Sequence, residues 1–290
     1  MKRRIKFIFW GMIVVVIVLM INLGFKTISA DQQTAGKFDT EEAAGKQSAI
    51  KSTAEIGTLA TEQLKIVDNP QRIPILMYHY IRDYQVESDP LGSGLSVSPA
   101  IFEQQIKTLV DSGYQTITLD QYLTNNFQGQ VFIVTFDDGY QDAYLGFKIL
   151  KKYSQKGVFY VISDRIDQPG YLSSSQIKEI SDWGMVIGGH TKSHPDLVKH
   201  AENYPDSLSS ELVESQQKIK EIIQKEVIDF CYPAGSYNDL VISALRNSGY
   251  HSAVTTQKNP ENFDRMSIPR VRMTNFSGEA LLNIAKKYYE

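Results

Sequence analysis

The chain has 290 residues, 42% of them hydrophobic and 22% charged, enough for one ordinary domain of about 200–250 residues with appendages. This composition excludes a wholly disordered chain, a collagen-like one and a polytopic membrane protein, and the single cysteine, Cys231, excludes an intrachain disulfide framework and a cysteine-cluster metal site. The formal charge of −3 is uneven: residues 1–30 carry Lys2, Arg3, Arg4, Lys6 and Lys26 and no acid, which leaves −8 on the remainder, a poor match for a phosphate backbone, so nucleic acid is not an expected partner.

Four basic residues precede an apolar run from Phe7 to Phe25, interrupted only by Gly11, Asn22 and Gly24. A helix of about 20 apolar residues spans a bilayer core, with its basic flank in the cytoplasm. Residues 1–30 therefore read as a membrane anchor with the body on the extracellular face. A cleaved signal is the alternative, with Ile28-Ser29-Ala30 as a passable site and a secreted product. The length of the run favours the anchor, and no Leu-x-x-Cys follows it for lipidation. Residues 31–70 are polar, with Phe38 as their one aromatic, and read as a flexible spacer.

Residues 71–290 form the expected domain. Ile73–Tyr80 reads as a strand. Phe102, Ile106 and Leu109 recur at helical spacing. Gln115–Leu119 and Gln130–Phe136 read as strands, the second apolar almost without alternation, which suits burial on both faces of a parallel sheet. A helix through Ala143, Phe147 and Leu150 follows, then strands at Gly157–Ile162 and Met185–Gly188. Leu208, Leu212, Ile219 and Ile222 stripe a long helix. Strands at Ile228–Tyr232, Ala253–Thr255 and Ile268–Met273 enclose a helix at 239–248, and a helix over 278–289 closes the chain. Such β-α alternation predicts an α/β fold with a parallel sheet wrapped by helices, either a (β/α) barrel of about seven strands or an open doubly wound sheet. Both gather function at the C-terminal ends of the strands.

The reactive residue types fall at those ends. Asp137-Asp138-Gly139 follows the most apolar strand. Two adjacent carboxylates are costly unless a cation or a proton compensates. Alternation sends neighbouring strand side chains to opposite faces, and Gly139 allows a turn that brings both into one pocket. The plain alternative is a solvated Asp-Gly turn. Gly188-Gly189-His190-Thr191-Lys192-Ser193-His194 follows another strand, and one helical turn would place the two imidazoles side by side. With Asp138 they make a two-histidine, one-carboxylate set able to hold Zn²⁺, Ni²⁺ or Co²⁺ with positions left open. His79 ends a third strand. His200 reads as a solvated loop residue and His251 as the start of a strand.

The Thr135-Phe136-Asp137-Asp138-Gly139 and His190-Thr191-x-x-His194-Pro195 motifs, in this order, resemble those of the polysaccharide deacetylase family, carbohydrate esterase family 4, with its NodB homology domain. The resemblance covers roughly residues 72–290. It implies a distorted (β/α) barrel and a hydrolase of linear amides, with Asp137 as catalytic base and Asp138, His190 and His194 as ligands of a divalent metal, Zn²⁺ before Ni²⁺ or Co²⁺. Two departures stand out. The family's Arg-x-Pro-Tyr-Gly is here Cys231-Tyr232-Pro233-Ala234-Gly235, without its arginine and tyrosine; Arg270 is the expected substitute that orients the base. The late Leu-x-His that supplies the acid is absent. Leu76-Met77-Tyr78-His79 is similar instead to the permuted poly-N-acetylglucosamine deacetylases of biofilm systems, which makes His79 the expected acid.

The expected reaction is hydrolysis of N-acetyl groups on an extracellular N-acetylglucosamine polymer by a monomeric chain. Peptidoglycan in the cell wall is the alternative substrate, and a non-catalytic surface glycan-binding protein is the more distant one. Backbone around Tyr232 and Ala234 is expected to hold the oxyanion. Tyr78, Tyr80, Tyr140, Tyr232 and Tyr237 lie near the motifs and offer rings to stack on sugars, with Tyr140 and Tyr232 the expected substrate contacts.

Overall fold

The computed structural model describes residues 66–257 and 262–289. The apolar run at 7–25, the Ala30 site and most of the 31–70 segment lie outside the described residues. No helix among the described residues is long and apolar enough to cross a membrane. Ile66, Val67 and Asp68, read above as spacer, belong to the folded body. Ile66 packs on the core, the Val67 N–H donates to the Leu123 carbonyl (2.7 Å), and the Asp68 carbonyl accepts from the Arg265 N–H (2.9 Å).

The strands are β1 (Ile75–Tyr78), β2 (Tyr80–Ile81), β3 (Ser96–Val97), β4 (Gln115–Thr116), β5 (Val131–Phe136), β6 (Val158–Val161), β7 (Val186–Gly189), β8 (Asp229–Cys231), β9 (Ser252–Val254) and β10 (Val271–Arg272). The helices are α1 (Pro90–Leu95), α2 (Pro99–Asp111), α3 (Leu119–Leu123), α4 (Ala143–Lys152), α5 (Ser174–Asp182), α6 (Leu197–Asn203), α7 (Leu208–Ile223), α8 (Asp239–Asn247) and α9 (Gly278–Lys286). Seven strands follow one parallel path, β10-β1-β5-β6-β7-β8-β9, as a half-barrel, and β4 pairs with the start of β5. The stretch read as one strand over Ile268–Met273 serves both edges: Ile268 bridges to Val254 of β9, and Val271 and Arg272 pair with Leu76 and Met77 of β1. Arg270 sits between these two attachments.

All six residues of β5 are buried, as expected for a strand covered on both faces. Alternation sorts them. Val131 and Ile133 join Ile75, Tyr160, Cys231, Val254 and Ile268 in an inner cluster. Phe132, Val134 and Phe136 join Phe102 and Ile106 of α2 and Phe147 of α4 in the layer between sheet and helices. Gln115–Leu119 is strand for two residues only. Thr118 and Gln121 form a capping box that starts α3 at Leu119. The sequence reading names no element between 162 and 185, where α5 starts on a second capping box, Ser173 with Gln176.

Asp229 of β8 is 3% exposed and accepts from the Ser252 hydroxyl at 2.5 Å. Burial lifts its pKa from 3.8 to about 6, against the lowering pull of the Ser252 hydrogen bond. A carboxyl whose pKa is raised on folding stabilises the fold below its unfolded pKa, and that contribution is lost as the pH rises through the folded value. Asp229→Asn keeps an oxygen for Ser252. It is expected to stabilise the chain by about 3 kcal/mol at pH 8, a gain that vanishes below about pH 4. Urea unfolding at the two pH values checks this; an equal effect at both would contradict it.

Candidate active site

The inner parity of β5 continues past its end. The Asp137 N–H still donates to the Tyr78 carbonyl (2.9 Å), so Thr135 and Asp137 face the same side as Val131 and Ile133. There Asp137, 2% exposed, meets Arg270. Nη1 donates to Oδ1 at 2.6 Å and Nη2 to Oδ2 at 2.7 Å. The other three guanidinium hydrogens go to the Thr255 carbonyl (3.1 Å), Thr135 Oγ1 (2.9 Å) and Cys231 Sγ (3.2 Å). All five donors of a buried arginine are thereby used. Burial alone pushes the Asp137 carboxyl up, and the charge and hydrogen bonds of Arg270 more than cancel it, holding the group below the ordinary carboxylate range. Cys231 stands where the family's motif has its arginine, and the guanidinium from residue 270 arrives beside its sulfur.

Alternation would send Asp138 to the helix-packed side with Phe136. Its left-handed φ of 69°, followed by 70° at Gly139, turns it to the mouth of the sheet instead. Across that mouth the His190 N–H continues the ladder to Val161 (3.1 Å), and Asp138 Oδ1 lies 3.1 Å from His190 Nε2 and 3.3 Å from His194 Nε2. The two imidazoles do not sit on a helical turn. Residues 190–194 form a loop with left-handed Thr191 (φ 62°) and His194 (φ 70°), which brings the rings to 4.8 Å between centroids. The glycines before them are needed for close packing: a Cβ on Gly188 would lie 2.5 Å from the Tyr160 ring and 2.9 Å from the Asp229 carbonyl oxygen.

These three side chains fit a divalent cation. Their ligand atoms all lie within 4.8 Å of one another, and donors held about 2.0–2.1 Å from one tetrahedral ion are about 3.4 Å apart. Proton placement points the same way. His190 Nδ1 is 2.7 Å from the Cys231 carbonyl oxygen, which only accepts, so Nδ1 carries the hydrogen. In the neutral ring, Nε2 then presents a lone pair towards the Asp138 oxygen. Two acceptors facing each other at 3.1 Å call for a cation between them or a second proton on the ring.

His79 shares the inner parity of Ile75, and its Nε2 is 3.8 Å from Asp137 Oδ2. Burial pulls its pKa down, against the raising effect of Asp137 and Asp138.

The profile described as polysaccharide deacetylase matches residues 124–253. A Bacillus subtilis protein named as a polysaccharide deacetylase, YxkH, is 32% identical over 222 residues, 73% of this chain and 76% of that protein. The chain belongs to the polysaccharide deacetylase family. It is a deacetylase, a hydrolase. The solved structure of the Streptococcus pyogenes deacetylase PplD in complex with acetate matches it with a TM-score of 0.66 at 31% identity, over 74% of this chain and 99% of that one. A poly-beta-1,6-N-acetyl-D-glucosamine N-deacetylase of Staphylococcus epidermidis is 25% identical over 237 residues, 71% of this chain and 81% of that protein.

The deacetylase corrects several expectations at the rim. The Tyr232 side chain is fully buried, its hydroxyl donates to the Met266 carbonyl (2.8 Å) and its ring stacks on Tyr237. It cannot reach a substrate. Tyr78 is equally buried and donates to Gln105 Oε1 (2.9 Å). Tyr140 is half-buried, but its ring stacks on Tyr80 at 4.0 Å and lies 5.2 Å from Tyr171, while Arg82 covers the Tyr80 ring at 3.6 Å. The protein itself occupies these faces, so Tyr140 offers its edge and hydroxyl, not a stacking platform. His200 is on α6, not in a loop, and pairs with Ser207 Oγ (2.8 Å). Exposed His251 immediately precedes β9.

Ala234 is exposed, with a left-handed φ of 55°. In its turn the N–H groups of Tyr232, Gly235 and Ser236 donate to Val254, Tyr232 and Pro233 carbonyls, and Pro233 has none to give. Sequence reasoning missed Thr135, whose hydroxyl accepts from Arg270 and donates to the Leu76 carbonyl (2.9 Å); its position two residues before Asp137 in a strand was the available signal.

Proposed function

We propose that the deacetylase removes N-acetyl groups from an extracellular N-acetylglucosamine polymer by metal-dependent hydrolysis, releasing acetate. The convergence of His79, Asp137, Asp138, His190 and His194 at one end of the sheet carries this reading. Asp138, His190 and His194 would hold the ion, Zn²⁺ before Ni²⁺ or Co²⁺. A divalent ion there supplies Lewis acidity to an amide carbonyl and to water. Asp137, kept ionised by Arg270, takes the proton of the attacking water. The Ala234 N–H is the donor for the oxyanion; one such group is worth about 3–4 kcal/mol. His79 delivers a proton to the departing amine nitrogen.

Arg270 acts as the base-orienting residue, in place of the arginine missing at position 231. Its grip on Asp137 answers the missing arginine, one of the two departures that favour a non-catalytic glycan binder, while the missing tyrosine at position 234 stands. The position of His79 beside the base, rather than a histidine late in the chain, favours poly-N-acetylglucosamine over peptidoglycan, and the Staphylococcus epidermidis relative supports the same choice. We infer that the chain works on the outer face of the membrane through residues 7–25, or secreted if cleaved near Ala30, as a monomer. Acetate release from β-1,6-linked N-acetylglucosamine oligomers and from peptidoglycan strands tests the reading. Release from peptidoglycan alone would move the assignment to the cell wall, and release from neither would end it.

His79→Ala is expected to bind metal as the wild type does and to lose about 10²–10⁴-fold in kcat. Metal titration alongside acetate release measures both. Full activity would remove His79 as the acid.

A further inference from the structure

The loop between the two imidazoles is held from two sides, and on one of them the N–H groups of Ser163 and Asp164 donate to the Thr191 (3.2 Å) and Lys192 (2.9 Å) carbonyls. Thr191, Lys192 and Ser193 have no regular hydrogen-bond ladder of their own, and two of the five residues from His190 to His194 have left-handed backbone, a conformation that persists in non-glycine residues only when surroundings impose it. Those surroundings include the first two turns of α7, where the Glu211 main-chain carbonyl accepts from the Lys192 N–H (3.0 Å) and the Glu211 side chain adds to it. Glu211 is 8% exposed. Its Oε2 accepts from the N–H groups of Lys192 (3.0 Å) and Ser193 (2.9 Å), and its Oε1 from the Ser193 hydroxyl (2.7 Å). One turn on, the Ser215 hydroxyl donates to the Thr191 carbonyl (3.0 Å). The Lys192 ammonium is directed elsewhere, to Glu214 (2.6 Å).

We propose that Glu211 is a positioning residue that sets the spacing of His190 and His194 by gripping the backbone between them. The inference rests on the metal reading above. A carboxylate suits the task because all three partners are donors and an ionised carboxylate is acceptor-only, with two oxygens to share among them. Its place in the first turn of α7 favours a negative charge as well. The rest of α7 is anchored by buried Leu212, Ile219 and Ile223, so the carboxylate is presented from a fixed support. Groups that orient metal ligands typically change affinity by about 10–100-fold when removed.

The test measures Co²⁺ and Zn²⁺ affinity of the full chain in detergent, the absorption spectrum of the Co²⁺ form, and the melting temperature of the metal-free form. Glu211→Ala is expected to bind both ions about 10–100-fold more weakly, with shifted Co²⁺ bands. Glu211→Gln keeps one acceptor oxygen and should recover part of the affinity and the wild-type band positions. Glu214→Ala, on the same helix, should match the wild type within about twofold, as an exposed pair contributes little. Wild-type affinity and spectrum in Glu211→Ala would overturn the inference while leaving the metal site intact. Absence of Co²⁺ or Zn²⁺ binding in the wild type would overturn the metal reading and this inference together. Should Glu211→Ala not fold, Glu211→Gln decides: intermediate affinity supports the grip, and wild-type affinity in Gln with unchanged bands after Ser193→Ala as well overturns it.

Discussion

Arg270→Met is expected to lower the stability of the chain by about 3–5 kcal/mol and to abolish most turnover, the stability loss arising because it strands a buried carboxylate. Asp137 is almost wholly enclosed, and the guanidinium, ahead of His79 and His190, is the main group that keeps it ionised. Without it, burial drives the carboxyl up and the base binds a proton of its own. The methionine also leaves the Thr255 carbonyl and Thr135 hydroxyl without their partner. The double variant Arg270→Met/Asp137→Asn separates the causes. It should recover much of the lost stability, since an amide is far cheaper to bury than a charge, and none of the activity. Urea unfolding of the four members of the cycle gives the coupling energy. Additive effects would mean that the pair is not coupled and that Arg270 does not hold the base.

Asp138→Ala and His190→Ala should each abolish tight binding of Zn²⁺ and lower turnover by about 10³-fold or more, as several kcal/mol of carbonyl and water activation disappear. The readout free of activity is thermal. Zn²⁺ in excess should raise the melting temperature of the wild type, because a ligand bound by the native state stabilises it by mass action, and should leave both variants unmoved. His190→Ala frees the Cys231 carbonyl as well, so a fall in its metal-free melting temperature is expected beside the lost response. A variant that kept both the Zn²⁺ response and turnover would remove its residue from the ligand set.

The strands that carry the site were legible because they are apolar nearly throughout and end in chemistry. Val131–Phe136 could pack on both faces, and two carboxylates directly after it needed a compensating charge. The pairing of His190 with His194 was legible as spacing, and the reason offered for it, a helical turn, was not the one used. Left-handed backbone at Thr191 and His194 brings the rings together, and nothing in the types of those residues announces it, since the loop is bonded to Ser163 and Asp164 some thirty residues before it and to Glu211 and Ser215 some twenty residues after it. Tyr232 was misread for a similar reason. Adjacency to a motif says nothing about which way a ring points, and a residue at the end of β8 points into the core. Tyr140 lies at the mouth as expected, yet Tyr80 and Tyr171 already occupy its neighbourhood.

The amino-acid sequence determined what short-range physics determines: the alternation of strands and helices, the capping boxes that start α3 and α5, and the residue types at the strand ends. Only the tertiary structure decided which of those types meet. Arg270 meets Asp137 because the segment from Ile268 to Arg272 attaches to both edges of the half-barrel and delivers the guanidinium beside Cys231, 133 residues along the chain from Asp137. Local sequence carries no record of such an encounter, because the energy of a buried ion pair depends on where two chain segments are brought together and not on either segment alone.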